Sequence, residues 1–154
     1  MFNKITWKDG EKLAYDYMKK KGYKIVYTNF SCPVAELDIV AIFPKKLQIK
    51  NLKKELKEKL KSITNKKQKE NLKISYKNII NNANDLLVIT EVKARVNDKF
   101  GYGYDAIDLK KRQHLIRGAK YLAKDKRFDK LQVRFDIASI DNGEITYIEN
   151  AFAL

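Results

Sequence analysis

Two segments of the chain combine an apolar run with charged residues that could bind a metal ion. Residues 35–43 carry Asp38 near their start, and residues 86–95 carry Glu91 and Lys93 toward their end. If both segments are neighbouring strands, the two carboxylates and the lysine converge at one end of a sheet. Carboxylates this close repel each other unless a cation compensates their charge. A hard divalent cation such as Mg²⁺ prefers oxygen ligands, so the pattern indicates a candidate Mg²⁺ site.

The alternation of side chains along a strand adds Glu36 and Arg95 to this charged set. Residues two apart share a face, so we expect Glu36 beside Asp38. Leu37 and Ile39 should then both point to the opposite face. Spacing alone leaves two interpretations open, a metal site or a network of ion pairs that closes the ends of the strands. Glu36 accordingly either tunes Asp38 or forms a salt bridge with Arg95.

An upstream helix supplies a third carboxylate. Residues 8–21 have helical periodicity, and Gly22 is suited to end the helix. Glu11 lies three residues before Ala14 and seven before Met18, which belong to the apolar stripe of this helix. At about 100° per residue, Glu11 therefore borders the buried stripe instead of lying on the wet face.

The remaining pattern is that of an α/β protein. The predicted order is α-β-β-β-α-β-β, with strands at 23–30, 35–43 and 86–95, a helix at 106–124 capped by Asp105, and strands at 131–140 and 144–149. Leu109, Ile116, Ala119 and Leu122 should form the buried side of the second helix, widened by Leu115. Asp141-Asn142-Gly143 is a strong hairpin turn signal between the last two strands.

Residues 44–85 have the composition of a lysine-rich insertion. They hold thirteen lysines against four acidic residues, a net charge of +9. Ile49, Leu52, Leu56, Leu60 and Ile63 recur at helical spacing. We expect a helical hairpin, with a break over residues 65–71, although a partly disordered segment has the same composition. A nucleic-acid clamp, an arm that docks a partner and a simple spacer all remain open as its role.

Composition limits the class of protein. The 154 residues suit one domain, and Cys32 is the only cysteine, so no intrachain disulfide forms. No segment has the apolar length of a signal or a membrane helix, which predicts a cytoplasmic protein without a membrane partner. The net charge of +14 favours nucleic acid as a partner. That inference is weakened because more than half of the charge lies in the insertion, and biased genomic base composition also enriches lysine.

A carboxylate on one strand followed by Glu-X-Lys on the next, downstream of an acidic helix, is the PD-(D/E)XK nuclease pattern. Over the whole chain the sequence resembles the YraN-like family, which is related to archaeal Holliday junction resolvases. The matching residues are Gly10-Glu11, Ala14, Gly22-Tyr23, Asn29, 36–40, 91–95, Gly101, Lys110, Tyr121-Leu122, 134–136 and 150–152. The insertion is unmatched, Leu37 stands where the pattern has proline, Ala35 replaces a glycine, and Phe30-Ser31-Cys32 replaces a basic residue.

The resemblance implies a restriction-endonuclease-like core, with a mixed central sheet flanked by helices. It also implies a nuclease that hydrolyses phosphodiesters, in branched DNA during repair or recombination. Asp38, Glu91 and Glu11 would ligate Mg²⁺ or Mn²⁺, and Lys93 would polarise the attacking water.

Arg95, Lys110 and Arg112 are candidates for phosphate contacts, and resolvases suggest a homodimer. The alternative is a non-catalytic nucleic-acid-binding or assembly module that retains the fold. His114 is interpreted as a packing residue.

Overall fold

Nine helices and strands follow one another in the described part of the chain, which comprises residues 7–95 and 107–153 of a computed structural model. In chain order they are α1 (Trp7–Lys20), β1 (Lys24–Cys32), β2 (Ala35–Phe43), α2 (Lys45–Ser62), α3 (Lys66–Asn81), β3 (Leu86–Arg95), α4 (Leu109–Leu122), β4 (Gln132–Asp141) and β5 (Glu144–Phe152). The predicted order of elements is confirmed. Strands β1 and β5 extend two and three residues further than the apolar pattern indicated.

The strands form one mixed sheet in the order β1-β2-β3-β4-β5. Only the pair β3 and β4 is parallel, and the connection between these two strands contains α4. The other three neighbouring pairs are antiparallel. The chain is therefore a mixed α/β protein, as the sequence predicted.

Helices α1 and α4 each contribute to a different hydrophobic core. Ala14 and Met18 of α1 belong to one core cluster, with Val88 and Val92 of β3. The other cluster contains residues from α4 and from the alternate positions of the strands, namely Leu115, Ala119, Leu122, Leu37, Leu87 and Ile89. Because β2 and β3 contribute side chains to both clusters, their apolar runs are nearly continuous.

Two glycines allow the helices to approach the sheet closely. A Cβ at Gly10 of α1 would lie 2.8 Å from the Cβ of Ala94. At Gly118 of α4, a Cβ would lie 2.8 Å from Leu37 Cδ2 and 3.0 Å from Ala35 Cβ. Any larger residue would therefore move a helix away from the strand that carries site residues.

The predicted stop and turn signals have the expected geometry. Gly22 adopts φ +92° after α1. The Gly22 amide donates to the Lys19 carbonyl and the Tyr23 amide to the Met18 carbonyl, both at 3.0 Å, as in a Schellman motif. Asn142 and Gly143 both have positive φ, 50° and 86°, which the tight hairpin between β4 and β5 requires.

The start and the buried face of α4 differ from the prediction. The helix begins at Leu109, and its cap is Asp108, whose Oδ1 accepts from the Lys111 amide at 2.8 Å. Asp105, the predicted cap, lies outside the described residues. Leu109, in the first turn of α4, is 74% exposed, whereas Leu115 is fully buried.

The lysine-rich segment 44–85, predicted to be an insertion, forms two helices, α2 and α3, connected by residues 63–65. The break is shorter than predicted, because Asn65 is a helix cap and not loop: its Oδ1 accepts from the Gln68 amide at 3.1 Å. Helix α2 has no buried residue, and Tyr76 is the buried residue of α3. The hairpin leaves the sheet where Phe43 pairs with Leu86. None of the described helices combines the length and apolarity needed to cross a membrane.

Candidate active site

Asp38 lies where the regular pairing of β2 with β3 stops. The pairing runs from Phe43 and Leu86 to Ile39 and Thr90. Beyond that point Asp38 accepts a hydrogen bond from the Val92 amide through its side-chain Oδ2, at 2.8 Å. The carboxylate thus replaces a backbone carbonyl as the acceptor, which holds it against β3 and next to Glu91.

The alternation of side chains along β2 slips by one residue at Asp38. Leu37 packs in the cluster of α4, whereas Ile39 packs in the cluster of α1, so the two residues point to opposite faces. The expectation that Leu37 and Ile39 share a face is therefore wrong. Asn29 lies opposite Asp38 on β1, between the pairs Thr28–Ile39 and Phe30–Leu37, and has a left-handed backbone with φ 51°. This local distortion of both strands was not visible in the apolar pattern.

Glu91 is buried beside Asp38 and is only partly satisfied. Its residue is 6% exposed, and its Oε1 lies 2.9 Å from the Lys111 ammonium. Its Oε2 is buried with no hydrogen-bond partner among the described residues. A buried carboxylate oxygen without a donor is costly, and such groups in a native fold call for an explanation such as an absent ion.

Asp38 has a perturbed acidity as a result of this arrangement. The pKa of Asp38 is raised from 3.8 to about 7, chiefly by burial and next by the charge of Glu91. The Val92 amide and the Lys111 ammonium act in the opposite sense. Two neighbouring carboxylates that resist joint ionisation form an environment that a divalent cation would stabilise.

Glu11 is oriented toward the same site by Asn29. The Nδ2 of Asn29, on β1, donates to Oε2 of Glu11, near the start of α1, at 3.1 Å. Glu11 is half-buried, as its position on the border of the apolar stripe predicted. The close approach of Gly10 to Ala94 brings this end of α1 against β3.

A cleft of about 440 Å³ unites these groups. Its lining consists of Glu11, Asn29, Ser31, Glu36, Leu37, Asp38, Glu91, Lys111 and His114. The three predicted carboxylates are therefore brought together, whereas Lys93 is not among the residues that line the cleft. Within residues 7–95 and 107–153, no three His, Cys, Asp or Glu side chains are close enough to form a ligand set by themselves.

His114 contributes to the cleft, although the sequence interpretation gave it a packing role. Its Nε2 accepts a hydrogen bond from the Glu36 amide at 3.0 Å. The bond ties α4 to the start of β2, next to Asp38.

A second concave surface of about 630 Å³ continues from the cleft along α4. Its lining consists of Asp108, Lys110, Lys111, Gln113, His114 and Arg117. Lys111 and His114 line both surfaces, so the groove leads into the carboxylate cleft. Lys110 is exposed there, as a phosphate-binding residue would be.

The other predicted phosphate contacts have different surroundings. The Nε of Arg112 donates to the Ile107 carbonyl at 2.9 Å, and its guanidinium lies 5.4 Å from the centre of the Phe152 ring. Arg112 thus braces the start of α4 against β5. Arg95 is the last residue of β3, and its side chain lies outside the described part of the chain.

Lys111, His114 and Asn29 are the site residues that sequence reasoning missed. Helical spacing contained a signal for Lys111, because it lies four residues before Leu115 and seven before Gly118, both buried. Asn29 was matched only as part of the family pattern. No sequence signal predicted its left-handed backbone beyond the general tolerance of asparagine for positive φ.

Asp136 provides a contrast elsewhere in the same sheet. It is fully buried, and it accepts from Arg134 Nε at 2.9 Å, Arg134 Nη2 at 2.7 Å, Tyr147 Oη at 2.8 Å and the Asn150 amide at 2.9 Å. Such a saturated carboxylate stabilises the fold and has no capacity left for a ligand. Glu91, buried to a similar degree, retains an oxygen without a partner.

Fold and site together define a mixed α/β protein with a carboxylate-lined cleft at one end of its sheet. A family model described as "Uncharacterised protein family UPF0102" matches residues 10–79 and 77–140. The chain belongs to this family.

Individual relatives support the same assignment. A UPF0102 protein of Persephonella marina is 29% identical over 154 residues, which is 100% of this chain and 98% of the relative. Another, from Thermodesulfovibrio yellowstonii, is 32% identical over 94% of this chain and 93% of its own length. A third, from Caldanaerobacter subterraneus, is 30% identical over 85% of this chain. The family that the motifs indicated is confirmed, and its link to resolvases remains a prediction.

Proposed function

We propose that this chain is a metal-dependent, nuclease-type protein with a restriction-endonuclease-like core, which binds nucleic acid and hydrolyses phosphodiesters. Branched DNA is the expected substrate. The observation that carries the proposal is the pair of adjacent carboxylates, half-buried Asp38 and buried Glu91, in a cleft that also contains Glu11. The oxygen of Glu91 that lacks a donor marks where a cation would be stabilised.

The chemistry of these residues fits Mg²⁺ or Mn²⁺. Mg²⁺ is usually held by one or two carboxylates together with waters and substrate phosphates, so a complete protein cage is not required. Asp38 and Glu91 would hold the ion, and Glu11 would contribute directly or through water. When bound, the ion would lower the pKa of a water molecule and neutralise charge that develops on the phosphate.

The surrounding residues would orient the carboxylates and the substrate. The hydrogen bond from Asn29 restricts the rotamers of Glu11, and the Val92 amide does the same for Asp38. Lys110 and Arg117, along the groove of α4, would bind phosphates and lead the strand toward the carboxylates. A role for Lys93 in polarising the attacking water belongs to the same proposal.

A non-catalytic nucleic-acid-binding module is the second candidate. One observation favours it, namely that Lys93 does not line the cleft in which the three carboxylates meet. If turnover depends on Lys93, it would be lost in such an arrangement, while the groove could still bind nucleic acid.

A cleavage screen distinguishes the two candidates. Branched, single-stranded and duplex DNA would be incubated with Mg²⁺ or Mn²⁺ and wild-type protein, Asp38→Asn or Glu91→Gln. Glu144→Gln is the matched control, because Glu144 is exposed in the hairpin between β4 and β5. We expect cleavage that both site variants abolish and the control retains. Binding of DNA without cleavage under any condition would favour the non-catalytic module, and absence of both metal and DNA binding would refute the nuclease proposal.

A further inference from the structure

Lys111 forms an asymmetric ion pair with the proposed metal ligand Glu91. The two side chains are 2.9 Å apart, but that of Lys111 is 35% exposed and that of Glu91 is 8% exposed. The lysine can therefore leave the pair and regain water, whereas the carboxylate cannot. Of the two partners, the ammonium is the one that can exchange for another cation.

Lys111 lies between two concave surfaces, so its side chain can occupy a second position. It lines both the carboxylate cleft and the groove along α4 that contains Lys110 and Arg117. The backbone of Lys111 is held by the Asp108 cap, so only its flexible side chain needs to move. An ammonium released from Glu91 would then lie beside the basic residues of the groove.

We infer that Lys111 is a placeholder cation, whose ammonium neutralises the Glu91 carboxylate until a divalent ion binds this carboxylate and replaces it. The displaced ammonium then contacts a phosphate in the groove. This inference rests on the proposed function, because it assumes that Glu91 is a metal ligand. The placeholder role couples metal binding to polyanion binding. When the ion binds, the released Lys111 ammonium adds a positive charge to the groove that binds the substrate.

The alternative role for Lys111 is to orient Glu91 for the metal, and the two roles predict opposite effects. Residues that orient a ligand support metal binding, and their removal typically weakens it by about 10- to 100-fold. A placeholder competes with the metal, so its removal strengthens binding. Competition is the better description here, because Lys111 contacts Oε1 of Glu91 directly, and an ion that starts at the free Oε2 and engages both oxygens must displace the ammonium.

Calorimetric titration of the full chain with Mn²⁺ measures the sign of the effect. We expect Lys111→Met to bind Mn²⁺ about three- to tenfold more tightly than wild type, as loss of a part-buried ion pair would allow. Lys111→Arg should bind it more weakly, because a guanidinium holds a carboxylate in a bidentate fork and is harder to displace. Lys110→Met is the matched control, since it removes the same charge from the adjacent exposed position and should leave Mn²⁺ affinity unchanged.

A second readout uses a short single-stranded oligonucleotide in the presence of Mn²⁺. Both Lys111→Met and Lys110→Met should weaken its binding, since each removes a phosphate contact. If Lys111→Met leaves Mn²⁺ affinity unchanged or lowers it while wild type binds the ion, the placeholder role is overturned and the nuclease proposal stands. Tighter binding by Lys111→Arg overturns it as well, and remains measurable if Lys111→Met does not fold. If neither wild type nor the lysine variants bind Mn²⁺, both proposals fail.

Discussion

Asp38 and Asp136 are carboxylates of one sheet with opposite surroundings, the first half-buried and the second fully buried. Asp136 receives hydrogen bonds from an arginine, a tyrosine and a backbone amide. Asp38 receives one from the Val92 amide and faces the charge of Glu91. The surroundings of Asp38 thus oppose its ionisation. The fold therefore bears a cost at Asp38 that a bound cation would relieve.

The stability of the metal-free protein should consequently depend on the ionisation of Asp38. Its pKa is raised from 3.8 to about 7 in the folded chain, so between these pH values the native state holds a proton that the unfolded state has released. Stability contributed by that proton is present at low pH and is lost as pH rises toward 7. Asp38→Asn removes this loss and offers Glu91 an amide donor.

We expect Asp38→Asn to be about 2 kcal/mol more stable than wild type at pH 8, with little difference below pH 4. Urea unfolding in the presence of a chelator, repeated from pH 4 to 8, measures the difference. A constant difference across this range would show that Asp38 does not have the raised pKa.

The backbone of Asn29 can be tested separately from its side chain. Asn29→Gly and Asn29→Ala both remove the hydrogen bond to Glu11, but only glycine adopts φ 51° without strain. The alanine variant should therefore be about 1 kcal/mol less stable than the glycine variant. Chemical denaturation gives this difference, and both variants should lose the proposed nuclease activity to a similar extent. Equal stability would indicate that the left-handed conformation is not required.

At the scale of elements, Gly118 sets the distance between α4 and β2. Alanine at an ordinary helix position would be favoured by about 1 kcal/mol. At position 118 the alanine Cβ would lie 2.8 Å from Leu37 Cδ2 and 3.0 Å from Ala35 Cβ. The Ala35 Cβ has no side-chain rotamer by which it could move away. We expect Gly118→Ala to destabilise the protein by about 1–3 kcal/mol. Thermal unfolding measures it, with the exposed Gln113→Ala as a control that should stay within about 0.5 kcal/mol of wild type. A Gly118→Ala variant as stable as wild type would contradict the close contact.

Elements whose signals are local were predictable from the sequence. Apolar runs identified the central strands, and Gly22 and Asn142-Gly143 marked the ends where positive φ is needed. The site was less predictable because it depends on pairing between distant residues. The slip at Asp38 requires Asn29 of another strand, and the contact of Lys111 with Glu91 depends on the crossover that carries α4 over the sheet. The motif therefore identified the carboxylates but not the lysine that contacts one of them.

At the scale of the whole molecule, the distance between the α2–α3 hairpin and the cleft limits which ligands can contact both. The α2–α3 hairpin leaves the sheet at Phe43 and Leu86, while Asp38 lies five residues further along β2. At about 3.3 Å per residue, roughly 16 Å separate the base of the hairpin from the cleft. A ligand confined to the cleft is therefore not expected to reach the base of the hairpin, whereas a long duplex can contact both regions.

Removal of the hairpin should therefore affect long and short nucleic acids differently. We expect a variant with residues 46–84 replaced by a short Gly-Ser linker to fold, because the pair Phe43 and Leu86 brings the ends together. It should bind an eight-nucleotide single strand within about twofold of wild type.

A 30-base-pair duplex, about 100 Å long, should instead lose affinity, and the dependence of log K on log salt should become shallower by about 0.9 for each phosphate contact removed. A variant that keeps both helices but carries Gln at the exposed positions Lys53, Lys57, Lys67 and Lys77 separates charge from shape. It should reproduce part of the change in slope. An unchanged slope in both variants would mean that the lysines of the hairpin do not contact phosphates, and that the hairpin is a spacer or an arm for a protein partner.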